Sequence, residues 1–595
     1  MDRLVSVLMP TFEQAAFLDR AVASLRAQCH ADWELVVVDD GSTDRAPDVL
    51  RRLAAADQRL RLHRSDRNRG LGAALNRALE AARGSFVAYL PSDDVYLPDH
   101  LSLLVATLQR HHSDAAVSGV DHHGVREGVQ LVQVMHRRTS ARWVERDELE
   151  TDDLHRLFWS RLPPMVHTGR VTCVWTDHPD QRHKHIRERF DGGLNSFRRR
   201  YLVREPLRFH SRDSWPVDEH ARYRRFRRPA RGGSASRYPA RPPGLRILLV
   251  GELAFNPERV VAFEERGHEL YGLWIDDPLG DSTVGPLPFG NVRDVELQDV
   301  RALRPDVVYG LLNWRAVPLV QGLLDLGIPV VWHFKEAPQR CLVRGDWPLL
   351  ADLHERADVV VYATASERDW MEQALPGARD QATTAVLDGD LPKADWFTAE
   401  VSPRLSQRDG EIHTVCVGRP LGLDADTLAR LGAAGIHTHL YGPVCRHGTG
   451  GALSRFLDGE SHHVHVHPHV EQAHWVRELS RYDAGWLHRF TSDNGGDLAR
   501  ASWDDLNSPA RLPSYLAAGL PLLQQASPGA RVEMQDLVAE RGIGLLYDDL
   551  DDLVDRLREE AATGCHRRAA WCLRHEFTFD AHVDRLLDLF TDVAR

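Results

Sequence analysis

Four short segments in the first third of this 595-residue sequence carry side chains suited to chemistry. One apolar run ends at Met9-Pro10-Thr11-Phe12-Glu13 and another at Val38-Asp39-Asp40-Gly41-Ser42. An acid or hydroxyl just past a buried strand can accept hydrogen bonds from a uracil-type N–H or a ribose hydroxyl, which makes Thr11, Glu13 and Asp39 nucleotide-contact candidates. The same letters also spell a βα turn with a helix cap. In Asn68-Arg69-Gly70-Leu71-Gly72-Ala73, small residues such as Gly72 allow close approach to phosphate or sugar. The fourth segment is Pro91-Ser92-Asp93-Asp94. Adjacent carboxylates after a strand suit a hard divalent cation, Mg²⁺ or Mn²⁺, bridging diphosphate oxygens, with Ser92 beside them as a further nucleotide contact. Such an ion is a Lewis acid and a charge sink for a departing nucleotide.

The elements that must position these groups show in the hydrophobic pattern. Leu4–Met9, Leu35–Val38 and Phe86–Leu90 are short apolar runs, whereas Phe17–Ala27 and Leu71–Ala82 repeat at helical spacing. That alternation predicts an α/β fold with a parallel sheet, in which ligand groups gather at the carboxyl ends of the strands. An arginine-rich stretch follows from Arg182, ending in the Pro/Gly/Ser-rich segment Pro229 to Gly244. Strand–helix alternation resumes at Leu245, with strands at Val307–Leu311, Pro329–Trp332 and Val359–Tyr362. A fresh buried strand at His413–Val417 opens a second half of that region. The expected domains are residues 1–190, a connection over 191–244, and two Rossmann-like units over 245–410 and 411–595.

The ordered series VSVLMPTFEQAAFLDRAVASL, ELVVVDDGSTD, NRGLGAALNRALEAARGSFVAYL and PSDDVYLPDHL resembles glycosyltransferase family 2. The resemblance implies a GT-A fold, an inverting mechanism, a nucleotide-sugar donor and a divalent metal. It assigns base recognition to Asp39 and metal ligation to Asp93, with Pro91 standing where the family motif has its first acid. Thr151-Asp152-Asp153, opening a helix through Leu162, is similar to the family's acceptor motif with Asp in the Glu position. This makes Asp153 the general base, supported by Asp152. A bland reading is an acidic helix start stabilised by the helix dipole. By the same resemblance His178, in Val174-Trp175-Thr176-Asp177-His178, is a further metal ligand; its alternative is a loop-capping histidine.

From Leu245 onward the chain resembles GT-B glycosyltransferases, most nearly family 4. Gly251, Arg266-Gly267-His268-Glu269-Leu270 and Arg304-Pro305-Asp306-Val307-Val308 match the donor-distal unit. Val417-Gly418-Arg419 and Leu512 to Pro521 match the nucleotide-binding unit. A glycine after a strand lets a helix N-terminus approach a diphosphate, and Arg419 could pair with it. Ser514 replaces the family's ribose-holding glutamate, and the lysine expected after Arg419 is absent, so Asn507 and Arg511 are candidate substitutes. In Ser461 to His469, alternation places His463, His465, His467 and His469 on one strand face. Stacked imidazoles can bind zinc, but the reading taken is a strand edge lining a cleft. Trp475 and Trp486 read as sugar platforms or core.

Bulk composition narrows the classes. A net charge of -12 argues against a general nucleic-acid binder. The arginines from 182 to 241 could meet phosphates or an anionic membrane face, or form a solvated linker or interdomain salt-bridge surface. Seven scattered cysteines without a CxxC pair fit free thiols in a reducing compartment. With no long apolar run, the expectation is a cytoplasmic protein, peripheral to the membrane at most. The expected activity is transfer from a nucleotide sugar to a saccharide, lipid-linked or metabolite acceptor. The rivals are a nucleotidyltransferase and a non-catalytic nucleotide- or carbohydrate-binding scaffold.

Overall fold

A computed structural model describes residues 4–122, 128–192, 194–210, 216–226, 244–253, 256–275, 285–375, 383–442, 462–468, 470 and 472–595. Two compact units divide at Arg224/Arg225.

The first unit begins with β1 (Val5–Thr11), buried at every position. Val5, Val7 and Met9 face one core and Leu8 the opposite one, so period-two alternation places apolar side chains on both faces. Helix α1 (Ala15–Arg26) buries Leu18, Ala21, Val22 and Leu25, a spacing that keeps one stripe against the sheet. Truncating a core leucine such as Leu18 to alanine costs about 2–5 kcal/mol. Next come β2 (Trp33–Asp39), α2 (Ala46–Ala56), β3 (Leu60–Arg64), α3 (Leu71–Ala81), β4 (Phe86–Tyr89) and β5 (Val95–Tyr96). They are followed by α4 (His100–Arg110), β6 (Ala115–Asp121), β7 (Val134–Arg137), α5 (Leu154–Trp159) and β8 (Val166–Val174).

The sheet order is β3-β2-β1-β4-β7-β6-β8-β5. β1 to β4 run parallel, but β7 runs antiparallel to both β4 and β6, so the sheet is mixed and not wholly parallel as expected. Short antiparallel strands lack the long apolar runs that flagged the others.

The arginine-rich stretch is folded where it was expected to be a connection. Helices α6 (Arg182–Gly192) and α7 (Asn195–Tyr201) precede a hairpin of β9 (Arg208–His210) and β10 (Pro216–Asp218). Ile186, Leu194, Phe197, Val203, Leu207 and Phe209 form a small core there. Arg198 is fully buried and paired with Glu219, which offsets the cost of burying its charge. Within the first unit this stretch is therefore a buttress with a small core of its own, although Arg187, Arg204 and Arg208 stay exposed. The Pro/Gly/Ser segment after Phe226 lies outside the described residues.

The second unit holds two sheets. The first comprises β11 (Arg246–Gly251), β12 (Glu269–Trp274), β13 (Arg293–Asp294), β14 (Val307–Leu312), β15 (Val330–Phe334), β16 (Val359–Tyr362) and β17 (Thr384–Val386). Its order is β13-β12-β11-β14-β15-β16-β17, parallel throughout. The second comprises β18 (Ile412–Val417), β19 (Ile436–Tyr441), β20 (Val464–His467), β21 (Ala484–Trp486), β22 (Leu522–Gln525) and β23 (Gly544–Tyr547). Its order is β20-β19-β18-β21-β22-β23, again parallel. Both reverse direction beside their first strand, as in the doubly wound Rossmann arrangement.

The expected boundary at residue 411 needs one correction, because the chain crosses back. The helix Val583–Val593 packs Phe590 against Phe263 and Tyr309 of the first layer, and Arg266 donates to Asp584 at 2.8 Å. No helix among the described residues is long and apolar enough to cross a membrane.

Candidate active site

At the end of β4 the chain turns through Pro91-Ser92-Asp93-Asp94. Asp93 Oδ2 lies 3.0 Å from His178 Nε2, with both side chains about one-tenth exposed. Gln14 also donates to Asp93 Oδ2, at 3.3 Å, and Arg20 to its main-chain oxygen at 2.6 Å. Asp94 is buried beneath them. Burial, then the neighbouring charge of Asp93, pushes its carboxyl well above the usual carboxylate range. Its Oδ1 accepts from the amide of Thr176 at 2.9 Å, which anchors the loop that carries His178. Phe17 stacks on the His178 ring with centroids 4.7 Å apart. A carboxylate and an imidazole 3.0 Å apart match two adjacent donors to one ion, since ligands at about 2.1 Å and right angles are separated by about 3 Å. The donor set fits a small divalent ion.

The nucleotide candidates divide. Thr11 lines the cavity beside these groups, and its Oγ1 is buried with no hydrogen-bond partner among the described residues. Asp39 is buried just behind, where it accepts from Ser42 N at 3.0 Å and Arg64 Nη1 at 2.8 Å. Glu13, with a φ of 54°, accepts from Thr43 Oγ1 at 2.8 Å and so braces the β2 turn. Ser92 is fully buried and bonded to Gln14. A Cβ on Gly72 would meet Val144 O at 1.9 Å, so this glycine admits the protein's own backbone and not a ligand. Asp40, not Asp39, reaches the cavity wall. Its carboxylate accepts from Arg69 N and Gly70 N at 2.9 and 2.7 Å, yet burial still pushes its pKa up.

On the facing wall a buried network holds the Thr151-Asp152-Asp153 turn. Glu150 accepts from Arg146 Nε at 3.0 Å and pairs with Arg182, which also donates to Thr151 O at 2.6 Å. Burial would raise the Glu150 pKa, but Arg182 and Arg146 outweigh it and hold the carboxyl below its usual range. The hairpin adds a further tie, Glu150 N donating to Arg208 O at 2.8 Å. Asp152 is held by Arg187 at 3.2 Å, whereas Asp153 is half-exposed at the start of α5 with Arg156 3.7 Å away. The Asp153 side chain makes no cap bond to its own helix.

One cavity of about 460 Å³ joins these walls, with Asp93, Thr11, Asp152 and Asp153 all on its lining. Arg146, His155, Trp175, Arg182, His183 and Tyr201 line it too. Sequence reasoning passed over them because Arg146 and Trp175 come from loops, His155 from the short α5, and Arg182, His183 and Tyr201 from the buttress, where spacing carries no signal of a site. Burial, ahead of Arg187 and Lys184, lowers the His183 pKa to about 4.

In the second unit Gly418 ends β18 with a φ of +79°. Arg419 follows it, exposed, and its main-chain oxygen accepts from Arg511. Arg511 is itself buried and donates to Cys416 Sγ at 3.0 Å and Trp486 O at 3.3 Å. Its guanidinium clamps strand ends and is not presented to a ligand, contrary to the expectation. Asn507 is half-buried ahead of the helix Leu512–Ala517, on which Ser514 is buried. Trp486 is core at 0% exposure, and Trp475 packs against a second cluster of the same unit, which holds Leu479 and Tyr482. An unforeseen charged group sits past β15 and β17: Lys335 pairs with Asp390, and Asp388 accepts from Ser508 Oγ at 2.6 Å. Burial alone would lower the Lys335 pKa, but Asp390 and Asp388 hold it above the usual lysine value.

Residues 6–159 match Glycosyl transferase family 2. Over 121 residues the chain is 41% identical to the uncharacterized glycosyltransferase alr2836 of Nostoc sp., covering 20% of this chain and 36% of that protein. Over 111 residues it is 32% identical to the UDP-Glc:alpha-D-GlcNAc-diphosphoundecaprenol beta-1,3-glucosyltransferase WfgD of Escherichia coli, covering 19% and 43% respectively. The chain thus spans well under half the length of these relatives. Among solved structures, Anabaena Alr3699/HepE in complex with UDP is similar over 58% of this chain and 100% of its own, at 12% identity and a TM-score of 0.44. The chain carries a glycosyltransferase family 2 domain over residues 6–159.

Proposed function

We propose that the first unit transfers a sugar, with inversion, from a nucleotide-sugar donor to a hydroxyl of a saccharide, lipid-linked or metabolite acceptor. One observation carries the reading: Asp93, which His178 meets at 3.0 Å, lines the same cavity as the Asp152–Asp153 turn. Asp93 and His178 would hold Mg²⁺ or Mn²⁺, which supplies a Lewis acid for the nucleotide diphosphate that leaves. Thr11 and Asp40 offer polar contacts on the nucleotide side, and Asp39 shapes the turn beneath them. Asp153, half-exposed and not engaged in capping its helix, removes the acceptor proton as its oxygen attacks the anomeric carbon. Asp152 supports it, and the Glu150–Arg182 pair fixes the turn from which both project. The lipid-linked alternative draws on the relative WfgD, whose name specifies a diphosphoundecaprenol acceptor. For the second unit we propose a GT-B-type pairing of Rossmann units that binds nucleotide weakly at Gly418 and Arg419, with Ser514 in place of an acid. The deciding experiment is a nucleotide-sugar hydrolysis and transfer screen with and without Mn²⁺. Turnover that is indifferent to metal and survives Asp153→Asn would defeat the reading.

A further inference from the structure

The second Rossmann sheet carries a histidine array unrelated to the cavity of the first unit. Parallel register sets His413 beside His437 and His439 beside His465. The rings interlock: His413 Nδ1 lies 2.9 Å from His439 Nε2, His437 Nδ1 2.9 Å from His465 Nε2, and His439 Nδ1 2.8 Å from His467 Nε2. The array was expected to line a cleft; instead it stacks across β18, β19 and β20, and His469 lies outside the described residues.

At one end of the array, a carboxylate oxygen of Glu411 and one ring nitrogen each of His437 and His463 lie within 4.8 Å of one another. Donors around a tetrahedral zinc-class ion sit about 3.4 Å apart, given bonds of about 2.0–2.2 Å, so closing the group needs a movement of about 1.5 Å at most. Glu411 is half-exposed at 50% and can make it, while the ring of His437 is 12% exposed and fixed. Its orientation is set from behind: Nδ1 faces His465, leaving Nε2 directed at Glu411. An imidazole backed by a polar partner on its second nitrogen is how metal-ligating histidines are oriented.

We propose that Glu411, His437 and His463 form a binding site for a zinc-class divalent ion, clipping the entry of β18 and β19 to the segment that leads into the edge strand β20. Two imidazoles and one carboxylate favour such an ion over Mg²⁺ or Ca²⁺, and three protein donors leave a fourth position for water.

The test uses the full chain, stripped with chelator and carrying Asp93→Ala so that the first unit does not contribute. Zn²⁺ is titrated by calorimetry and Co²⁺ by visible absorption. One equivalent should bind with a tetrahedral-type Co²⁺ spectrum, and Zn²⁺ should raise the Tm of this unit. His463→Ala and Glu411→Gln should each weaken binding at least tenfold, whereas His467→Ala, outside the triad, should not. Glu411 is a surface residue, so its variant separates ligation from misfolding. Absence of saturable one-to-one binding, or unchanged binding in both Glu411→Gln and His463→Ala, overturns the proposal. So does a loss seen only in His467→Ala, which would place the ion elsewhere in the stack.

Discussion

The carboxyl group of Asp94 accepts a hydrogen bond from the amide of Thr176 at 2.9 Å, two residues before His178. Its neighbour Asp93 faces the cavity, so two consecutive acids serve different ends. One meets the imidazole, and the other, buried and with a raised pKa, holds the loop that delivers it. Asp94→Asn keeps an acceptor oxygen and the shape, and should retain metal-dependent nucleotide binding to within a few-fold. Asp94→Ala leaves the Thr176 amide unpaired, a loss of about 1–3 kcal/mol, and should weaken that binding tenfold or more. Calorimetry with UDP and Mn²⁺ separates the two.

Asp93→Ala removes one of the two convergent donors and should abolish the Mn²⁺ dependence of UDP binding. Heat profiles that remain metal-dependent in this variant would place the ion elsewhere.

Asp153→Asn keeps the side-chain shape but removes basicity, and should lower kcat by about 10²–10⁴ while UDP affinity stays. Asp152→Asn should be milder, since Arg187 already holds that carboxylate. The opposite ranking in steady-state kinetics would move the base to Asp152.

Glu150 sits with Arg146 and Arg182 and has its pKa lowered by them in spite of burial. The stability it contributes is therefore present above its ordinary value of 4.5 and is lost as pH falls through the lower folded-state pKa. Glu150→Gln leaves Arg182 without its charge partner, while Arg146 keeps Glu205, at a cost of about 3–5 kcal/mol at neutral pH. Calorimetric scans from pH 7 to about 3 should show the variant less stable and its pH slope reduced.

The histidine array has the same sign through a different group. Burial, then the neighbouring imidazoles, depresses the pKa of His439 and of His465 below the ordinary 6.5. Asp409, Glu411, Glu478, Arg481 and Asp483, with Tyr441 and Tyr482, are other titratable groups facing the stack. Folded-state rings stay neutral while unfolded ones take up protons, so the contribution is present above pH 6.5 and lost as pH falls below it. Unfolding of this unit in urea should steepen its pH dependence between about 7 and 5, and His439→Gln should reduce that slope by about one proton.

Five of the first seven elements were legible because each buries a contiguous run or a clean stripe: Val5–Thr11, Ala15–Arg26, Trp33–Asp39, Leu71–Ala81 and Phe86–Tyr89 fall within a few residues of the expected spans. Strands β6 to β8 were not, because β8 pairs with β6 across a long stretch of chain and their runs mix polar with apolar residues. Arg198 shows the limit most clearly. Its sequence neighbours Arg199 and Arg200 suggested a solvated patch, and only the position of Glu219, 21 residues on, made its burial tolerable.

By itself the sequence determined which residue types stand at element ends: paired acids after strands at 39–40 and 93–94, paired acids before a helix at 152–153, and a histidine at 178. Local periodicity fixes where strands stop, and a family pattern ranks the residues that follow. Tertiary structure alone decided what each acid faces. Asp93 meets His178 from a loop 85 residues away, Asp40 and not Asp39 reaches the cavity, and Gly72 and Arg511 serve the protein's own backbone. Orientation and long-range neighbours depend on packing between elements, and no spacing along the chain encodes them.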